Sequence, residues 1–202
     1  IKEPNLVADC LIQMQAKTKL PVTVKTRIGY DDVEDYESLF NFINLLKLTG
    51  VKTFVIHSRK AMLGKFTPKQ NLNIPPLKYE MVYKLKEDFK DLEIIINGGI
   101  TSINQIKNHL KKVDGVMIGR SVYHSPYILA DIEREVFDND KILSRQQIIE
   151  KLIPYVKDEV KKGVRLNQIM RHTIGLFHGQ TGSNFWKRYL SENMCIRDAD
   201  VK

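Results

Sequence analysis

Cysteine is scarce in this chain. Only two occur in 202 residues, Cys10 and Cys195. No CxxC joins them, which excludes a disulfide framework and argues against structural zinc. No apolar run reaches the roughly 18 residues that cross a bilayer, so a membrane protein is excluded. The N-terminus lacks a charged-then-apolar leader, and a cytoplasmic location is the default expectation. No GxGxxG occurs, which weakens a dinucleotide-binding reading. His109 and His124 have no metal-ligand spacing, and no Ser–His–Asp arrangement is visible, so neither a metal site nor that triad is expected.

Acidic residues are also missing from two long stretches. Between Ser38 and Tyr79 there is no Asp or Glu, but there are Lys47, Lys52, Arg59, Lys60, Lys65, Lys69 and Lys78. Between Val160 and Ser191 the same holds, with Lys161, Lys162, Arg165, Arg171, Lys187 and Arg188. The formal net charge of +8 is therefore concentrated. Such stretches suit a polyanion, because neutralising phosphates releases their counterions. A solvated basic surface is the plainer alternative. Phe177, Phe185, Trp186 and Tyr189 are interleaved with the second stretch; such rings can stack on bases, but aromatics at helical spacing are expected to be core.

What is present builds a globular α/β chain. Hydrophobic residues make up 43% and charged residues 28%, enough for a core and ordinary for a water-exposed surface. Residues 5–16 carry Leu6, Val7, Cys10, Leu11 and Met14 at helical spacing, and Cys10 is expected in the core. Strands are predicted over 21–28, 52–57, 92–96 and 114–118. Helices are predicted over 36–49, 78–89, 103–112 and 126–137, with Gly50 as a stop and Ser102 as an N-cap. Beyond Asp140 only helices are predicted, near 144–162, 165–178 and 183–193.

Strand alternating with helix predicts a parallel sheet, either open and doubly wound or part of a (β/α)8 barrel. Lys25, His57, Asn97 and Gly119 are expected at or just past the strand ends, where barrel chemistry sits. Asn97-Gly98-Gly99 and Gly119-Arg120 follow successive strands, as do the phosphate-holding loops after strands 7 and 8 of such barrels. Four strands are half of a barrel. With a chain that begins at Ile1, this predicts the C-terminal portion of a barrel, residues 1–137, followed by a small all-α domain, residues 138–202. Lys25 is either a strand-end lysine reaching solvent or a cation facing an electron-rich ring or phosphate. His57 is either a satisfied polar residue or a site residue.

At this point a family resemblance is visible. The segments PVTVKTRIGYDD, VIHSRKAMLGKFTPKQNLNIPPLKY, INGGI, DGVMIGRSVYHSPYIL and RHTIGLFHGQTG resemble the bacterial tRNA-dihydrouridine synthases. The match is strongest to the A-type subgroup, which acts on D-loop uridines 20 and 20a. The resemblance implies a TIM barrel with a helical tRNA-binding domain. It also implies FMN as cofactor, NADPH as reductant and tRNA as substrate. Lys25 and His57 correspond to flavin-contacting positions, and Asn97, Gly98, Gly99, Gly119 and Arg120 to the FMN-phosphate motifs. Arg59, Lys60, Lys69, Lys187 and Arg188 lie in segments where the family meets tRNA. The family's proton-donating cysteine belongs to a loop ahead of the first helix, so no catalytic residue is expected within this chain, and the chain alone is expected to be inactive. Two alternatives remain: a tRNA-binding remnant without catalysis, and another phosphate-binding barrel flavoenzyme.

Overall fold

A computed structural model describes residues 1–196 and Ala199. The chain divides into two compact units, Ile1–Ile118 and Gly119–Lys202.

The first unit alternates helix and strand. Helix α1 spans Pro4–Lys17, with its proline in the first turn, where the missing N–H costs nothing. Strand β1 is Val24–Arg27. Helix α2, Tyr36–Lys47, starts where Asp35 accepts a 2.7 Å bond from the Ser38 N–H. It ends before Gly50, whose φ of 90° suits glycine. Strand β2 is Thr53–His57, followed by a short helix α3, Pro68–Asn71, and by α4, Tyr79–Asp88. Strand β3 is Glu93–Asn97. Helix α5, Ile103–Leu110, opens on a reciprocal capping box between Ser102 and Gln105. Strand β4 is Gly115–Met117.

The four strands form one parallel sheet in the order β1-β2-β3-β4. Alternation divides their side chains between two faces. Phe54, Ile56, Ile94 and Ile96 point to one face and are fully buried with Leu39, Ile43 and Leu46 of α2 and Val82 and Leu85 of α4. Each such side chain contributes about 1.5–3 kcal/mol on leaving water. Lys25, Arg27, Val55, His57, Ile95, Asn97, Gly115 and Met117 share the opposite face through the parallel register.

Two sequence expectations change here. Helix α1 buries Ala8 and Leu11, while Leu6 and Met14 are 56% and 53% exposed. Cys10 is exposed, not core. The helix turns its Ala8–Leu11–Gln15 side toward α2, and Gln15 Nε2 donates to the Thr49 carbonyl at 3.0 Å. This leaves Leu6, Cys10 and Met14 on the other side. The loop after β2 is also more ordered than its prolines suggest, because α3 carries a capping box between Thr67 and Gln70.

The second unit is helical among its described residues. Helix α6, Arg120–His124, was not expected from the sequence; α7 spans Ile128–Phe137. Helix α8, Arg145–Lys161, is capped by Ser144 and Gln147. Helix α9 is Leu166–Met170, followed by a 3-10 turn Arg171–Thr173, so the helix expected over 165–178 is much shorter. Further along that stretch the chain passes close to the end of α6, where a Cβ on Gly175 would stand 2.2 Å from the His124 carbonyl oxygen. Helix α10 is Ser183–Asn193. Ile132, Val156, Leu176 and Leu190 are buried. Trp186 donates to the Thr173 carbonyl at 3.2 Å and packs on Phe177 at 4.9 Å. Phe185 and Tyr189 are exposed at 64% and 49% and stack on each other at the helix surface, contrary to the expectation that they are core.

Candidate functional site at the strand ends

Register sets the site. Arg27, His57, Asn97 and Met117 stand level at the C-terminal edge of the sheet. Lys25 lies two residues lower, beside Val55, so it is within its strand and not at its end as expected. Lys25 and Arg27 border an open hollow of about 520 Å³, together with Lys2, Tyr30, Ala61 and Leu63. Desolvation, and then the charge of Arg27, lower the Lys25 pKa. Desolvation and Arg59 likewise lower that of Arg27. Both cations are on one face of β1 and line the hollow, and positive charge there suits an electron-rich or anionic ligand.

The turn after β3 is the second feature. Gly98 and Gly99 have φ of 122° and 67°, in the region that favours glycine. A Cβ on Gly98 would meet Leu77 at 3.0 Å and the His57 ring at 3.1 Å, and one on Gly99 would meet Leu77 at 2.6 Å. The buried His57 imidazole therefore lies against this turn. Asn97 Nδ2 donates to the Met117 carbonyl at 2.8 Å, and Tyr79 Oη donates to the Gly98 carbonyl at 2.7 Å. Among the described residues, the Gly98 and Gly99 N–H groups make no main-chain hydrogen bond. Glycine amides held in this way fit a phosphate.

The other sequence-selected residues lie in several places. Arg59 donates to the carbonyls of Asn73 and Pro75. Lys60 and Lys78 both pair with Glu34 Oε2 at 3.2 Å. These contacts hold the loop between β2 and α4. Lys69 is exposed on α3. Gly119 and Arg120, both exposed, open the second unit directly after β4 in the chain. Lys187 and Arg188 lie on α10.

Sequence reasoning missed three residues. Arg27 donates to the Lys60 and Asn71 carbonyls at 2.8 and 3.0 Å. Its signal was its two-residue spacing from Lys25, which puts both on one face. Asn71 bonds the Met62 N–H and the Met62 and Phe66 carbonyls. Tyr79 reaches Gly98 across the fold, a relationship with no local signal.

Among the described residues no group of His, Cys, Asp and Glu is arranged to hold a metal ion. No described helix is long and apolar enough to cross a membrane.

The parallel sheet, with polar residues at three of its four strand ends and a glycine turn after β3, defines the first unit as α/β. The family model for dihydrouridine synthase matches residues 1–200, and the chain belongs to that family. It is 48% identical over 201 residues to the tRNA-dihydrouridine(20/20a) synthase of Shewanella oneidensis, covering 99% of this chain and 60% of that protein. The corresponding protein of Synechocystis sp. is 46% identical over 198 residues, covering 98% of this chain and 59% of its own length. That of Shigella flexneri is 46% identical over 199 residues, with 98% and 59% coverage. The chain thus spans about three-fifths of the length of these relatives.

Proposed function

We propose that this chain forms the FMN-holding and tRNA-gripping portion of a tRNA-dihydrouridine(20/20a) synthase. In that reaction the C5–C6 bond of a D-loop uridine is reduced with electrons from NADPH. The observation that carries this reading is the 48% identity with the Shewanella relative across nearly the whole chain. Residues 1–137 are proposed as part of a (β/α)8 barrel, with the four strands as neighbouring staves. Residues 138–202 are proposed as the tRNA-binding helical domain, and the reaction is placed in the cytoplasm.

The residues present suit FMN. The Gly98 and Gly99 amides suit its phosphate, and the paired cations Lys25 and Arg27 suit an electron-rich ring above the hollow. When bound, the flavin supplies hydride chemistry. Lys25 holds positive charge toward the ring, His57 positions it from the β2 end, and Asn97 keeps the glycine turn anchored to β4. Gly119 and Arg120 match the family's phosphate motif in sequence. The proton donor is not assigned to a residue of this chain. Lys69, Lys187 and Arg188 contact tRNA phosphates, and Arg59 and Lys60 shape the loop that meets it.

Mapping dihydrouridine in tRNA from cells lacking the gene tests this reading. Loss at positions 20 and 20a, restored by the wild-type gene but not by Lys25→Ala, is expected. Unchanged dihydrouridine at both positions would overturn the reading.

A further inference from the structure

Behind the glycine turn lies a cluster that the reading above does not use. Tyr79 and Tyr83 are one turn apart on α4, and His109 is near the end of α5. His109 is 5% exposed, an unusual place for an imidazole that does not face the site. Its Nδ1 shares a 2.7 Å hydrogen bond with Tyr83 Oη. The Tyr79 ring meets the His109 ring edge-on, 4.6 Å between centroids. Tyr79 Oη then donates to the Gly98 carbonyl.

The geometry of a peptide gives this contact a consequence. In a planar trans peptide, C=O and N–H point in opposite directions. The Gly98 carbonyl and the Gly99 N–H belong to the same peptide. A hydroxyl that pulls the Gly98 carbonyl toward α4 and α5 therefore turns the Gly99 N–H the other way. Glycine at φ of 122° and 67° has several conformations open to it, and nothing intrinsic selects this one. Burial raises the Tyr79 pKa, which keeps the phenol protonated and able to donate at ordinary pH.

We propose that Tyr79, seated on His109 and Tyr83, is a positioning residue that presets the Gly99 amide toward the phosphate of the bound cofactor. This rests on the phosphate reading of the turn. It deepens that reading by making the anion site depend on a side chain that does not touch the anion.

Tyr79→Phe tests the proposal, because it removes the hydroxyl and keeps the ring packed on His109. Two measurements on the full chain separate its parts. The first is the backbone amide order of Gly98 and Gly99 by nitrogen-15 relaxation, expected to fall when the hydroxyl no longer fixes the peptide between them. Unchanged order would overturn the clamp. The second is binding of FMN and of riboflavin, which lacks the phosphate. The variant is expected to lose about tenfold in FMN affinity and nothing in riboflavin affinity. Equal losses for both ligands would reduce Tyr79 to general packing and overturn the proposal. A wild-type chain that holds FMN no better than riboflavin would overturn the phosphate reading and the purpose assigned to the clamp. The relaxation data would then decide separately whether the clamp exists.

Discussion

Asn97 and Met117 are register partners on β3 and β4, and the Asn97 side chain donates to the Met117 carbonyl at 2.8 Å. The contact ties the strand that launches the glycine turn to the short last strand of the sheet. Asn97→Ala leaves that carbonyl without its side-chain donor. A loss of about 1 kcal/mol is expected, seen as a midpoint lower by a few degrees in thermal unfolding. An unchanged midpoint would show that the contact carries no stability.

The loop between β2 and α4 depends on Glu34. Its Oε2 receives both Lys60 and Lys78, and its side chain is only 15% exposed. Glu34→Gln leaves two lysines without their anion. The cost of a lost charged partner, about 1.5 kcal/mol or more, predicts roughly tenfold faster proteolysis within residues 59–78. Cleavage at the wild-type rate would mean that Arg27 and Asn71 hold the loop by themselves.

His109 predicts a pH dependence. Burial and then the nearby Lys112 lower its pKa from the ordinary 6.5. Tyr79 and Tyr83 face it from α4, and Lys112 follows it after α5. The unfolded chain therefore takes up this proton at higher pH than the folded chain. The stabilising contribution is complete above about pH 6.5 and is lost as pH falls from there through the lowered folded value, with a slope of at most about 1.4 kcal/mol per pH unit. His109→Gln should flatten the stability profile between about pH 7 and 5. An identical slope in both proteins would contradict this.

The exposed surface of α10 predicts RNA behaviour. Phe185 and Tyr189 stack at the surface, 6.0 Å between centroids, on the helix that carries Lys187 and Arg188. Lys187→Glu with Arg188→Glu should weaken tRNA binding and flatten its dependence on salt by about two phosphate contacts. Phe185→Ala with Tyr189→Ala should weaken binding by about 1–3 kcal/mol per stacked base without altering the salt slope. Binding titrations across salt concentrations measure both, and unchanged curves would remove α10 from the interface.

The parallel sheet was legible because its strands read as apolar runs alternating with helices, the last two closed by Asn-Gly-Gly and Gly-Arg. His57 and Asn97 were legible for the same reason, since each ends its strand. Arg27 was visible only as the alternate residue to Lys25. Tyr79 was not legible, because its bond to Gly98 depends on how α4 packs beside β3. The side on which α1 packs was hidden as well. Its two apolar rows, Ala8–Leu11 and Leu6–Cys10–Met14, are alike in sequence, and only the position of α2 decides between them. Helical spacing favours core for Phe185 and Tyr189 over the stacking alternative, yet both are exposed, because spacing alone does not say which side of a helix is covered.

The most direct measurement is a comparison of FMN and riboflavin binding by the 202-residue chain, repeated with Gly99→Ala. The glycine turn predicts that FMN binds at least about tenfold more tightly, the worth of one good phosphate hydrogen bond, and that Gly99→Ala abolishes the preference. Equal affinities for FMN and riboflavin in the wild-type chain would contradict a phosphate site at the end of β3.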